Sequence, residues 1–182
     1  MRVRYNSPVI LTYALLCTVV MILSDLTLET ITGKYFVVYP QMDFSNPLSY
    51  WRLISHIAGH QNWAHLMGNF SFILLIGPIL EEKYGSKKLL TMILFTAIIT
   101  GVLNVLFFTT GLMGASGIVF MFIILSSFTN FKSGDIPLTF ILIIALFLTK
   151  EFFAALHNDK ISQFAHILGG ISGSVFGFWY RK

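Results

Sequence analysis

Long apolar runs separated by short polar segments dominate the chain. A helix that crosses the hydrocarbon core of a bilayer needs about 20 mainly apolar residues. Six stretches are close to that length, and we predict them as membrane spans: residues 9–25, 63–80, 89–108, 115–131, 136–155 and 161–180. Residues 26–62 form a long connection that we expect to lie at the outer membrane surface. The pattern predicts an all-α, polytopic membrane protein with a single domain over residues 1–182.

Composition excludes a water-soluble globular domain. Hydrophobic residues make up 55% of the chain and charged residues 11%, whereas soluble domains carry about 25% charged residues. The mean hydropathy is +0.77. The net charge of +4 does not indicate nucleic-acid binding, because the basic residues are scattered and form no basic helix. The lipid bilayer is therefore the predicted partner of the apolar surface.

Lysine and arginine predict the orientation of the chain. With six spans both termini lie on one side, and basic residues favour the cytoplasmic side. Eight fall on the side of the termini and four on the other, which predicts cytoplasmic termini. The first group is Arg2, Arg4, Lys83, Lys87, Lys88, Lys132, Arg181 and Lys182, and the second is Lys34, Arg52, Lys150 and Lys160.

Polar residues in the spans are candidate functional groups, because they are tolerated only against protein or along a cavity. His65 and Asn69 are four residues apart at the start of the second span and share one helix face. Two uncharged donors aimed at one point could stabilise an oxyanion. Taken alone, the pair is more simply interpreted as a polar clamp between helices.

A serine stands among small residues at the start of the fourth span. Gly114 and Gly117 flank Ser116, and small neighbours let backbones approach while leaving the hydroxyl uncovered. By itself this serine is more often a helix cap or a hydroxyl bonded to its own backbone.

Glycines recur every four residues in the sixth span. Gly169, Gly173 and Gly177 form a groove against which a neighbouring helix packs closely. If that neighbour is the fourth span, His166 meets Ser116 within hydrogen-bonding range. Dimerisation of two chains through the groove is the alternative, but it gives no reason for the histidine.

These residues together predict nucleophilic catalysis, which needs a hydroxyl, a base and donors for the developing charge. Ser116 is the hydroxyl, His166 is the base, and His65 with Asn69 are the donors. Phe120, one turn after the serine, is expected beside the imidazole. Because no Asp or Glu lies deep in a span, the predicted arrangement is a Ser–His dyad without a third member.

A second pair of histidines has the spacing of a zinc site. His56 and His60 are four apart, but the zinc-protease signature needs Glu directly after the first histidine, where this chain has Ile57. We therefore expect both histidines to bond to loop backbone, and we predict neither a metal site nor a cofactor.

At these residues the chain resembles the rhomboid family of intramembrane serine proteases. The matching pieces follow one order along the chain: Trp51-Arg52, His65-x-x-x-Asn69, Glu81-x-x-x-Gly85, Gly114-x-Ser116-Gly117 and Ala165-His166-x-x-Gly169. The resemblance implies a six-helix bundle with a water-filled cavity opening to the outer side, in a bacterial inner membrane. It implies Ser116 as nucleophile and His166 as general base. His65, Asn69 and the backbone N–H of Ser116 would form the oxyanion hole.

The resemblance also implies supporting roles and substrates. Trp51-Arg52 and Glu81 with Gly85 match structural motifs, and residues 136–159 match a substrate gate. The expected substrates are single-span membrane proteins, cut at a small residue near the outer face.

The chain departs from the family pattern in three ways. Phe120 stands where many members have Tyr, so a hydroxyl is lost. Met113 replaces a frequent glycine before Gly114. Lys150-Glu151 puts charge near the outer end of the gating helix.

Two other functions remain open at this point. A catalytically silent rhomboid-like protein would bind membrane clients with the same fold, although such proteins often lose the serine or the histidine. A small transporter would explain buried polar residues as a pathway. Transporters commonly show inverted repeats, and no convincing repeat is apparent here.

Overall fold

The computed structural model describes residues 4–128, 138–155 and 160–180. This part of the chain is helical and contains no β-strand, only an isolated antiparallel bridge between Val38 and Leu112. The all-α class predicted from the sequence is therefore confirmed. The helices are α1 (Pro8–Leu26), α2 (Thr30–Tyr35), α3 (Pro47–Ser55), α4 (Trp63–Tyr84), α5 (Ser86–Phe107), α6 (Ser116–Ser126), α7 (Leu138–Ala155) and α8 (Lys160–Trp179), with a short 3₁₀ turn at His56–Ala58.

Among the described residues, three helices are long and apolar enough to cross a membrane: α1, α4 and α5. Helix α6 has 11 residues, fewer than the predicted span 115–131. It ends where the hydroxyls of Ser126 and Ser127 bond to the carbonyls of Ile123 and Ile124, at 2.7 and 2.6 Å. Helices α7 and α8 lie at the predicted fifth and sixth spans, and the count of six spans stays a prediction.

The long connection after α1 is more ordered than its sequence indicates. Residues 26–62 contain α2, α3 and the 3₁₀ turn. Asn46 caps α3 by accepting a hydrogen bond from a backbone N–H of its first turn at 3.0 Å, and Pro47 is its first residue. Asn before Pro is a recognised helix-start signal, which hydropathy alone passes over. The guanidinium of Arg52 donates two bonds, of 2.9 and 2.7 Å, to the carbonyl of Lys34 in α2.

Glu81 joins the ends of three helices. Its carboxylate accepts hydrogen bonds from the backbone N–H groups of Val9 and Ile10, both at 3.0 Å. These first-turn donors of α1 have no partner within their own helix, and a negative charge at a helix N-terminus is favourable. Ser86, the first residue of α5, donates a third bond at 2.7 Å. Gly85, with φ of 78°, makes the turn between α4 and α5 in a region that favours glycine.

We expect Glu81→Ala to lower the free energy of unfolding by about 3 kcal/mol, because it leaves buried donors without a charged acceptor. Glu81→Gln keeps one acceptor oxygen and should lose less. Thermal unfolding in detergent measures both, with the neighbouring exposed residue changed in Glu82→Ala as the matched control. Equal melting temperatures for Glu81→Ala and Glu82→Ala would refute the joining role.

Candidate active site

Helices α6 and α8 touch backbone to backbone. A Cβ atom placed on Gly169 would overlap the carbonyl oxygen of Gly117, and one on Gly173 would lie 2.5 Å from the carbonyl oxygen of Met121. Real Cβ atoms do not approach so closely, so the contact requires glycine at both positions of α8. The groove predicted in the sixth span is therefore filled by the fourth-span helix of the same chain.

This contact brings the predicted base to the head of α6. The ring of His166 lies 4.1 Å from that of Phe120, centroid to centroid, with 34° between the planes. This contact between the two rings restricts the orientation of the imidazole. Ser116 is the first residue of α6, so its backbone N–H is among the donors that lack a partner inside the helix.

The four residues predicted to carry the chemistry border one cavity. It has a volume of about 640 Å³, and Ser116, His166, His65 and Asn69 all line it. The remaining lining residues are apolar, and among the described residues that border the cavity none is Asp or Glu. The structure thus brings together, from α4, α6 and α8, side chains that are up to 101 positions apart in the sequence (His65 to His166).

A helix cap precedes the predicted donors on α4. Asn62 accepts a hydrogen bond from the backbone N–H of His65 at 2.9 Å, which fixes the first turn of the helix. Asn69 is one turn further on and is 6% exposed. Its amide nitrogen has no hydrogen-bond partner among the described residues. A buried donor without a partner is costly, and beside a cavity it is available to a bound group.

Gly114 must be glycine for two independent reasons. Its φ of 122° lies in a region that side chains rarely adopt. A Cβ atom there would also lie 2.7 Å from Cε1 and 3.0 Å from Nε2 of His65. Its N–H donates to the carbonyl of His56 at 2.9 Å. Sequence reasoning gave this glycine a supporting place but did not foresee its contact with the histidine.

The histidines of the 3₁₀ turn and the following loop bond to backbone, as predicted. Nδ1 of His56 lies 3.2 Å from the carbonyl of Arg52, and Nδ1 of His60 lies 3.3 Å from that of Ala58. The other nitrogen of His56 is 3.4 Å from the hydroxyl of Thr100 in α5. In the part of the chain that the structure describes, no group of three or more His, Cys, Asp or Glu side chains is placed to hold a metal ion.

Trp51 and Arg52 lie apart from the cavity. Arg52 connects α3 to α2, and its guanidinium stacks 5.1 Å from the ring of Tyr39. Trp51 is 53% exposed on the surface of α3. Neither residue lines the cavity that contains Ser116.

The predicted gate is partly described. Ile143 and Leu146 of α7 line the cavity, as does Phe72 of α4. Residues 136–137 and 156–159 of the gate, and the side chains of Lys150 and Glu151, lie outside the described residues.

Comparison with known proteins identifies the family. A family model described as "Rhomboid domain" matches residues 47–182. The chain belongs to the rhomboid family. It is an integral membrane protein, as its apolar helices indicate.

Curated relatives of this rhomboid are bacterial. It is 26% identical to rhomboid protease GlpG of Haemophilus influenzae over 166 residues, which are 90% of this chain and 85% of that protein. It is 28% identical to rhomboid protease GlpG of Serratia proteamaculans over 176 residues. A protein of the same name from Yersinia pestis is 26% identical over 176 residues. In both of the latter cases the match covers 94% of this chain and 62% of the relative.

The two buried loop histidines predict a pH-dependent stability. Burial lowers the pKa of His56 and of His60 from 6.5 to about 4, and the neighbouring His65 adds to the effect at His60. The unfolded chain therefore binds more protons between pH 6.5 and 4, and the free energy of unfolding falls as the pH drops through that window. Each histidine lowers the free energy of unfolding by up to about 3 kcal/mol across this pH window.

Thermal unfolding in detergent at pH 7.5, 6.0 and 4.5 measures this effect. Replacing His60 with Gln removes one titrating group, so the variant should lose less stability than the wild type on acidification. Identical pH dependence of the two proteins would contradict the assignment at His60.

Proposed function

We propose that this rhomboid protein is an intramembrane serine endopeptidase in which Ser116 and His166 form the catalytic dyad. The observation that carries the proposal is the shared cavity, bordered by the hydroxyl-bearing end of α6 and the imidazole of α8. The family and the protease names of its relatives support the class of reaction.

Ser116 and His166 divide the chemistry between them. His166 takes the proton of the Ser116 hydroxyl as its oxygen attacks the peptide carbonyl, and then gives that proton to the leaving amine. Water next attacks the acyl-enzyme while His166 takes its proton. His166 then returns that proton to the oxygen of Ser116, and the carboxyl product leaves. Ring contact with Phe120 restricts the orientation of the imidazole.

The negative charge that develops on the carbonyl oxygen needs donors. The backbone N–H of Ser116, the amide of Asn69 and the imidazole of His65 supply them from two helices. Each donor of this kind typically contributes about 10²–10³ to kcat. Asn69 is the best-supported side chain, because its buried nitrogen is without a partner in the described structure.

The substrates are transmembrane segments of other membrane proteins. A segment reaches the cavity between α4 and α7, where Phe72, Ile143 and Leu146 form the apolar walls. Residues 136–159 act as the gate. The cavity opens to the outer side of a bacterial inner membrane, with both termini in the cytoplasm, in agreement with the basic residues and with the bacterial relatives.

Replacement of the dyad tests the proposal directly. Purified wild-type protein in liposomes should cleave a labelled single-span substrate. Ser116→Ala and His166→Ala should each lower kcat by at least about 10³-fold. Asn69→Ala should lower kcat by about 10²-fold. Ser71→Ala is the matched control, since this exposed serine bonds to its own helix at Met67. Full activity of Ser116→Ala would exclude the proposed nucleophile.

The substrate helix must unwind before its carbonyl reaches the serine. Glycine costs about 1 kcal/mol more than alanine in a helix, and proline about 3, so either residue near the cleavage point lowers the cost of unwinding. We expect cleavage rates to rise from Leu to Gly to Pro at a position next to the scissile bond. A series with uniform rates would contradict this dependence.

A further inference from the structure

The proposed chemistry makes no use of His60, although this histidine lies against the oxyanion hole. Its ring centroid is 5.1 Å from that of His65, and the planes meet at 69°, an edge-to-face contact. His60 is 2% exposed. A polar side chain buried this deeply normally satisfies its hydrogen-bonding groups, yet Nε2 has no partner among the described residues.

An oxyanion donor must be held in one orientation, because a displacement of about 1 Å can cost 10²-fold in rate. The cap at Asn62 fixes the backbone of His65 but not the rotation of its side chain. Two neighbours restrict the ring. Gly114 packs against Cε1 and Nε2, and His60 packs against it edge to face.

His60 is itself anchored. Its Nδ1 lies 3.3 Å from the carbonyl of Ala58, and since a carbonyl can only accept, Nδ1 carries the proton. Gly59, between them, packs so tightly that a Cβ atom would lie 2.7 Å from the carbonyl oxygen of Phe36. Burial lowers the pKa of His60 to about 4, so the ring is neutral at physiological pH and presents no positive charge to His65.

The segment from His56 to His60 therefore contacts the site at two points. The carbonyl of His56 accepts from the N–H of Gly114 at 2.9 Å, while the ring of His60 touches His65. Both walls that confine the imidazole of His65 are thus held by one short, packed segment.

We propose that His60 is a positioning residue, whose anchored ring holds the imidazole of His65 in the orientation that donates to the oxyanion. The inference rests on the proposed function. It assigns to His60 a role other than metal binding.

A double-mutant cycle tests the inference in full-length protein with the labelled single-span substrate. His60→Ala should lower kcat by about 10-fold while KM stays within about twofold, because the loss is confined to the transition state. His65→Ala should lower kcat by about 10²-fold. In the double variant, His60→Ala should cause no further loss, since the group it positions is gone.

Two further variants separate positioning from general stability. His60→Phe keeps a ring beside His65 and should retain more of kcat than His60→Ala. Gln61→Ala, at the exposed neighbour, should match the wild type. If His60→Ala does not fold in detergent, the cycle uses His60→Gln, which has a polar side chain of similar length and no ring.

The outcomes distinguish this inference from the function on which it rests. The positioning role is overturned if His60→Ala lowers kcat by the same factor in the wild type and in the His65→Ala variant. It is also overturned if His60→Ala changes only KM. Cleavage by Ser116→Ala overturns the proposed function instead. Loss of cleavage in Ser116→Ala together with additive effects at the two histidines rejects the positioning role alone.

Discussion

The structure depends on the contact between Gly117 of α6 and Gly169 of α8, where a carbonyl oxygen occupies the space that a side chain would need. Helices inside a bilayer gain little from burying apolar surface against one another, because lipid is equally apolar. Close backbone approach and van der Waals packing stabilise them instead. Ser116 comes one residue before the first glycine and His166 three before the second, so the approach that packs the helices also determines how the two side chains face one another.

Helix α6 begins at a residue that lines the cavity. Helix α6 begins at Ser116 itself, directly after Gly114 has turned the chain with a positive φ. The proposed nucleophile therefore lies at a helix N-terminus, where unpaired N–H groups point away from the helix and where negative charge is favoured. A helix that began at least one turn earlier would have engaged the N–H of Ser116 in an internal hydrogen bond and removed a donor from the cavity.

The proposed site and the hydrogen bonds of Glu81 lie at opposite ends of α4. Glu81 binds α1 and α5 to the far end of α4, whereas His65 and Asn69, in the first two turns of α4, line the cavity. The loop before α4 holds both Gly114 and His65. Away from the cavity, the hydroxyl of Thr100 bonds to its own helix and to this loop, whereas the hydroxyl of Thr96 has no partner among the described residues.

Sequence alone determined the membrane class, the approximate positions of the helices and the residue types available for catalysis. Apolar runs of bilayer length and helical spacing are local properties, and Ser116, His166, His65 and Asn69 stand out because polar groups are scarce in such runs. The motif order indicated the family. Helix ends, and the helices α2 and α3, were harder to predict from the sequence. They depend on caps such as Asn46 and on serine hydroxyls, which hydropathy does not detect.

Only the tertiary structure decided which helix fills the glycine groove, that four side chains border one cavity, and that His60 touches His65. These relations join residues far apart in the chain, and no local pattern specifies the distance between two helices. That distance is determined where the backbones meet, by the absence of a Cβ atom at a few glycines.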